Sequence, residues 1–288
     1  MKILLAVDPP GDSDAAVAEV ASRPWPPDTN IEVLSVVEPS LVWDVPSLIE
    51  GLEEAARGTA ESAADQLRAA GCRATAQVSV GDAKAVIVDR ARESAADLVV
   101  VGSRGGREMT RFLLGSVAAG VARFAPCSVE IVRAKEAQKP HAAMKILLAT
   151  DGSPCSQAAA RSIAARPWPA GTSVRALSVA ELSVPLLEMP YFLPHTMEKL
   201  RGEAMQRAEQ SEMAAEEILA DAGLEESGTV AVPTGTPKEV ILQQAEEWGA
   251  NLIVCGSHGR RGLNRFLLGS VSGAVATHAK CSVEIIRG

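Results

Sequence analysis

The sequence predicts an α/β protein of two tandem doubly wound domains, each a five-stranded parallel sheet with helices on both faces, on three observations. Short runs of Val, Leu and Ile alternate with Ala-rich stretches of helical length, the pattern of buried parallel strands joined by crossover helices. Landmarks recur: Asp8 and Arg23-Pro24-Trp25-Pro26 return as Asp151 and Arg166-Pro167-Trp168-Pro169, both at an offset of 143. A glycine-bearing loop follows the fourth apolar run of each half. At 288 residues the chain is long enough for two domains that each bury a core. Aromatic residues are only 3% of the chain, so those cores must be built from Ala, Val, Leu and Ile.

In the first half, Lys2 to Val7 reads as a strand, and Asp12 or Ser13 can cap a helix that runs through Ala21 and stops before Arg23-Pro24. Ile31 to Val37 is the second strand. Ser47 to Ala70 is a long helix closed by Gly71, and Ala74 to Val80 is the third strand. Ala83 to Ser94 places Val86, Ile87 and Arg90-Ala91 at helical spacing, and Asp97 to Val101 and Ser128 to Val132 complete five strands. The polar, aperiodic stretch 135–143 is read as a linker between a domain at 1–134 and another at 144–288. Ten extended residues reach at most roughly 33 Å, so the domains should be neighbours. The second half repeats the plan with strands from Met144 to Ala149, Val174 to Val179, Thr229 to Val232, Leu252 to Cys255 and Val283 to Ile286. The offset grows from 143 to 154 by Gly102 and Gly256. The 11 extra residues are placed between Leu182 and Lys199, where Pro185, Pro190 and Pro194 forbid a continuous helix.

A net charge of -8 and a pI near 5.2 exclude a non-specific nucleic-acid surface, which needs a basic face. No apolar run approaches the roughly 20 residues that span a bilayer, and the opening run is cut off by Asp8 too early for a signal peptide. A cytoplasmic location without a membrane partner is expected. Cys72, Cys127, Cys155, Cys255 and Cys281 form no Cys-x-x-Cys pair and are expected as reduced thiols, with Cys127 and Cys281 equivalent residues entering the fifth strands. No metal-ligand spacing and no Ser-His-Asp arrangement is found.

The informative stretch is Gly102-Ser103-Arg104-Gly105, nine residues, then Gly115-Ser116. It recurs as Gly256-Ser257-His258-Gly259, nine residues, Gly269-Ser270. Each copy carries a buried strand into a glycine loop ending at a helix N-terminus, where unpaired N–H groups and the helix dipole can hold an anion. Ser116 and Ser270 fit either a helix cap or a hydroxyl offered to phosphate. Two copies at identical internal spacing argue against coincidence.

This pattern, with Phe112-Leu113-Leu114-Gly115-Ser116-Val117 and Phe266-Leu267-Leu268-Gly269-Ser270-Val271, resembles the nucleotide-binding signature of universal stress proteins over nearly the whole chain. The resemblance implies strand order 3-2-1-4-5, with ligand at the reversal between strands one and four. It implies ATP, or AMP or ADP, with Mg2+ as the ligand. Adenine would lie near Val36 and Val179, with Val101 and Cys255 lining the base pocket. Ribose would meet Asp8 and Gly102, or Asp151 and Gly256. Phosphates would meet Gly105, Gly115, Ser116 and Val117, or Gly259, Gly269, Ser270 and Val271. Asp8 and Asp151 also fit helix N-caps. The resemblance further suggests that Ser128-Val129-Glu130-Ile131-Val132 and Ser282-Val283-Glu284-Ile285-Ile286 pair as an intramolecular pseudo-dimer, while a homodimer of two chains stays open.

The halves depart from each other after strand one, where the second has Asp151-Gly152-Ser153 and the first Asp8-Pro9-Pro10, and in the loop, where Gly262 stands against Glu108. Proline cannot donate a backbone hydrogen bond and a carboxylate repels phosphate, so the second site is expected to bind more tightly. His258 matches Arg104, which argues against a shared general base. Arg104, Arg107, Arg111, Arg260, Arg261 and Arg265 are read chiefly as solvated surface. A non-catalytic nucleotide-binding protein is the leading reading; a slow ATP hydrolase or adenylyl-transfer enzyme and a ligand-free dimerisation module are the alternatives.

Overall fold

The computed structural model describes residues 1–8, 13–39, 46–103, 114–133, 143–181, 194–226, 228–231, 236–260 and 268–288. The first half comprises β1 (Lys2–Val7), α1 (Asp14–Ser22), β2 (Asn30–Val37), α2 (Pro46–Ala69), β3 (Arg73–Val80), α3 (Ala83–Glu93), β4 (Leu98–Gly102), α4 (Ser116–Phe124) and β5 (Ser128–Val132). The second comprises β6 (Lys145–Thr150), α5 (Pro154–Ala164), β7 (Ser173–Val179), α6 (Pro194–Ala220), β8 (Glu225–Glu226), β9 (Thr229–Ala231), α7 (Pro237–Trp248), β10 (Leu252–Gly256), α8 (Ser270–His278) and β11 (Ser282–Ile286). Elements start and stop for local reasons. α2 and α6 begin at proline, which suits the first helical position. They end at Gly71 and Gly223, whose positive φ of 88° and 69° turns the chain back so that Cys72 and Leu224 donate to Leu67 and Leu219 carbonyls. The expected third strand of the second half, Thr229 to Val232, corresponds to β9, with Val232 outside the described residues, and a further two-residue strand, β8, stands ahead of it in the chain. Both pair with β7.

The strands form one sheet in the order β3-β2-β1-β4-β5-β11-β10-β6-β7-β8, with β9 also on β7. Within each half all pairs are parallel and the order is 3-2-1-4-5, the doubly wound arrangement. The last strands meet as the resemblance suggested: β5 and β11 pair antiparallel, with Glu130 opposite Glu284.

That seam differs on the sheet's two faces. On one, Val129, Ile131, Val283 and Ile285 join both halves into a single apolar core under α3, α4, α7 and α8. On the other, the cores under α1 and α2 and under α5 and α6 are separate, and Glu130 and Glu284, each 1% exposed, sit between them. Buried carboxylates need partners. Arg23 of the Arg-Pro-Trp-Pro segment grips both oxygens of Glu130 at 2.8 and 2.6 Å and also meets Glu19, and Arg166 donates to Glu284 at 2.8 Å. Trp25 and Trp168 donate their indole N–H to the Val20 and Ile163 carbonyls and lie under these guanidiniums; Arg23 is 5.7 Å from the Trp168 ring of the other half.

A second pair of arginines crosses the seam. Arg133 donates to the Ala276 and Thr277 carbonyls at the end of α8, and Arg287 donates to those of Ala122 and Arg123 at the end of α4, 2.7 and 3.0 Å in each case. Each half thus satisfies carbonyls in the last turn of the other half's helix, where a cation also suits the helix dipole.

Around Glu130 and Glu284 three carboxylates meet two guanidiniums, an imbalance that a proton corrects. Burial pushes the Glu130 carboxyl up to about 7, with Arg23 pulling the other way and Glu284 and Glu19 adding to the rise. Burial also works against the Arg23 charge, but Glu130 and Glu19 outweigh it and raise that pKa above its ordinary value. A carboxyl whose pKa rises on folding holds its proton more tightly in the folded chain. Its contribution to stability is therefore complete below the ordinary carboxylate range and is lost as pH rises through about 7. Stability from urea unfolding is expected to fall between pH 5 and pH 7, this group contributing up to about 1.4 kcal/mol per pH unit. Glu130→Gln should flatten the profile, and an unchanged slope would place the proton elsewhere.

Candidate functional site

The C-terminal ends of β6 and β10 lie side by side at the point where strand order reverses. β6 ends at Thr150, and Asp151-Gly152-Ser153 turns the chain into α5. Gly152 has φ +74°, a conformation that suits glycine. Ser153 is the N-cap of α5, accepting from Ser156 N–H at 3.3 Å, so Asp151 does not cap the helix. Its carboxylate instead ties two loops together: Oδ1 accepts from Ser153 N–H and Oδ2 from Arg260 N–H, both at 3.0 Å.

The glycine loop packs against this turn so closely that side chains are excluded. A Cβ on Gly259 would fall 2.6 Å from Asp151 Oδ2, and one on Gly256 would fall 2.7 Å from the Cys155 carbonyl carbon. A Cβ on Gly152 would lie 2.7 Å from Ser211 Oγ and 3.1 Å from Arg260 Nη2. Ser153 Oγ donates to the His258 carbonyl, and Ser257 N–H donates to the Ile286 carbonyl while its own carbonyl accepts from Gly269 N–H and Ser272 Oγ. Gly269 is the N-cap of α8 and contributes no side-chain cap; Ser270 is the first helical residue and is exposed. The capping reading of Ser270, and of Ser116 in the first half, is corrected on this geometry: glycine stands at the cap in both. The first turn of α8 thus presents its N–H groups and an exposed hydroxyl beside Gly259, the arrangement that suits an anion.

His258 places Nδ1 3.0 Å from Ser257 Oγ, and its buried Nε2 meets no hydrogen-bond partner among the described residues. Burial, then Arg287, hold its pKa below the ordinary value. Val179 and Cys255 stand on the continuous core face, as do Val271 and Leu268. Burial, then Glu284, push the Cys255 thiol up to about 12, so it acts as a small apolar wall. All five cysteines are free thiols.

In the first half the described parts after β4 match those after β10, whereas α1 starts later in the aligned sequence than α5. Asp8 follows β1, its N–H donating to Ser13 Oγ at 2.6 Å, and Ser13 rather than Asp8 stands at the N-cap of α1. Ser103 N–H donates to the Val132 carbonyl, Gly115 N–H donates to that of Ser103, and Gly115 caps α4 ahead of exposed Ser116. Val36, Val101 and Val117 share the core face as their counterparts do, and Gly102 ends β4. Gly105 and Glu108, and Gly262 in the second half, lie outside the described residues, as do Pro9 and Pro10. Sequence reasoning missed Ser211 and read Arg260 as solvent-facing. Arg260 Nη2 donates to Ser211 Oγ at 2.7 Å, and that hydroxyl donates to the Arg207 carbonyl one helical turn back on α6. Ser211 lies 60 positions from the turn it touches, and no local signal marks it.

Fold and site together define a tandem doubly wound α/β protein in which, in each half, a glycine caps the helix that follows the fourth strand at the switch point. The sequence model of the universal stress protein family matches residues 1–133 and 143–287. The chain belongs to the universal stress protein family. It is 30% identical to a universal stress protein of Mycolicibacterium smegmatis over 99% of this chain and 96% of that one. It is 33% identical to one from Mycobacterium tuberculosis over 67% of this chain and 62% of that one. A crystal structure of a universal stress protein from Archaeoglobus fulgidus superposes with a TM-score of 0.70 at 22% identity, covering 100% of this chain and 98% of the other, which shows the shared fold.

The close packing at Gly152 can be separated from its backbone strain. Gly71 has a similar positive φ, but a Cβ there meets open space. Each Gly→Ala change carries the strain of a left-handed residue, roughly 1 kcal/mol, and at Gly152 the contact with Ser211 should add about as much again. Urea unfolding of Gly152→Ala and Gly71→Ala tests this; equal losses would remove Ser211 from contact with the turn.

Proposed function

We propose that the protein binds an adenine nucleotide at the ends of β6 and β10, with a weaker site at β1 and β4. Occupancy would act as a conformational or assembly signal of the two-domain unit in a stress response. The observation that carries this reading is the clasp between Asp151 and the glycine loop: a carboxylate 3.0 Å from Arg260 N–H, against a glycine whose Cβ would fill the space between them. Each carboxylate oxygen accepts one backbone N–H here and retains capacity for a ribose hydroxyl. The uncapped first turn of α8, with exposed Ser270, supplies donors and a dipole for phosphate. Val179 and Cys255 offer an apolar wall to the base. Among the described residues no group of three or more His, Cys, Asp or Glu side chains could hold a metal, so magnesium would enter with the phosphates rather than in a site of its own. A purine nucleotide has the ribose, the phosphate and the flat apolar base that these three parts suit.

The test is mass spectrometry of small molecules released on denaturing the purified protein, followed by calorimetry with ATP and magnesium. An adenine nucleotide in the released fraction is expected. Gly269→Val should abolish the tighter binding phase and Gly115→Val the weaker, with affinities about tenfold apart, the equivalent of about 1.4 kcal/mol. Retention of the tight phase in Gly269→Val overturns the assignment. Steady phosphate release that is lost in Gly269→Val would instead establish turnover.

A further inference from the structure

We propose that Arg260 makes the second site selective for nucleoside di- and triphosphates over the monophosphate, and that Ser211 of α6 is the positioning residue that holds its side chain over the site. This rests on the nucleotide-binding reading above.

Arg260 has two separate roles in the geometry. Its backbone N–H is given to Asp151, which fixes the residue beside the expected ribose position. Its side chain passes over the Asp151-Gly152 turn, where Nη2 would come within 3.1 Å of a Cβ on Gly152, and reaches Ser211 Oγ at 2.7 Å. Ser211 is 4% exposed and donates its own proton to the Arg207 carbonyl at 2.6 Å, so its oxygen is oriented to accept. A buried, oriented acceptor and a glycine that leaves room together hold an otherwise solvent-exposed side chain in one place. Among the described residues Arg260 makes no ion pair, and one guanidinium donor on a neutral hydroxyl leaves both the charge and most of the fork for an anion.

Charge explains why this should discriminate by phosphate number. Asp151 carries a negative charge into the site, and backbone N–H groups and the α8 dipole contribute only partial positive charge. Arg260 adds a full positive charge beside the clasp. Its attraction grows with the charge of the ligand, which in the absence of magnesium roughly doubles from a nucleoside monophosphate to the triphosphate. Only the longer ligands also carry the outer oxygens that an arginine fork can take two at a time. The first half has Gly106 at the equivalent position, so the discrimination belongs to the second site alone.

The experiment is calorimetric titration of full-length wild type, Arg260→Ala, Arg260→Lys and Ser211→Ala with AMP, ADP and ATP, all in the Gly115→Val background so that one site is read. The ratio of ATP to AMP affinity is expected to fall about tenfold in Arg260→Ala, to recover partly in Arg260→Lys, and to fall about threefold in Ser211→Ala. Equal weakening of all three ligands in Arg260→Ala would mean a purely structural role and overturn the inference while leaving the binding site intact. An unchanged ratio in Arg260→Ala overturns it in the same way. A wild-type site that takes none of the three ligands overturns both the inference and the reading beneath it.

Discussion

Two carboxylates facing each other at the middle of an 11-stranded sheet constrain the rest of this molecule. An edge strand in each half would otherwise leave unpaired N–H and C=O groups open to any strand that could add to it. Pairing β5 with β11 removes both edges at once, and the glutamates determine how it is done. Strand side chains alternate between faces, so a slip of one residue would drive Glu130 into the continuous apolar core where Val129 and Ile131 now lie. Burying an unpaired carboxylate there is far more costly than any apolar mismatch. On the correct face, Arg23 and Arg166 arrive from the turns after α1 and α5, so register at the seam is checked by segments about a hundred residues away. A buried ion cluster contributes little net stability compared with an apolar replacement, but it penalises the wrong pairing heavily.

The same seam connects the two candidate sites. α4 begins at the glycine loop of the first half and ends where Arg287, of the second half, takes its last carbonyls. α8 begins at the second loop and ends at Arg133 of the first. The helix whose N-terminus would hold phosphate is thus closed at its other end by the opposite domain. β11 in turn fixes the second loop directly, because the Ile286 carbonyl takes Ser257 N–H, and the first loop is fixed in the same way by Val132. A displacement of either last strand would reach both the loop at a switch point and the C-terminus of the neighbouring helix.

Much of the fold was legible because its signals are local. The strand runs of Val, Leu and Ile and the glycine that closes α2 depend on residues within a few positions of one another. β8 was missed because Glu225-Glu226 is a two-residue pairing with no apolar run to mark it. At the site, the glycines could be placed from spacing, but the reason for them could not. That Gly259 clears Asp151 and Gly152 clears Ser211 depends on α6, α5 and the loop meeting in space. For the same reason the serines after Gly115 and Gly269 suggested caps, whereas the glycines themselves occupy the cap. The Arg-Pro-Trp-Pro repeat was visible as a landmark, and only the opposing glutamates give its arginines a purpose.

Comparing the halves with each other separates what the seam demands from what each site can vary. Ser128, Glu130 and Arg133 recur as Ser282, Glu284 and Arg287 at one offset, and each makes or faces a contact with the other half: Ser282 accepts from Arg133 N–H and Ser128 from Arg287 N–H. Under approximate two-fold symmetry a residue at the seam meets its own counterpart's surroundings, so a change in one half must be accommodated by the other. In sequence, the strand-one turn and the loop differ more between the halves than the seam does. There Pro9 stands against Gly152, Gly106 against Arg260 and Glu108 against Gly262. The symmetric seam therefore holds the two switch points in fixed relation while leaving the residues around each of them free to differ, without any loss of the shared sheet.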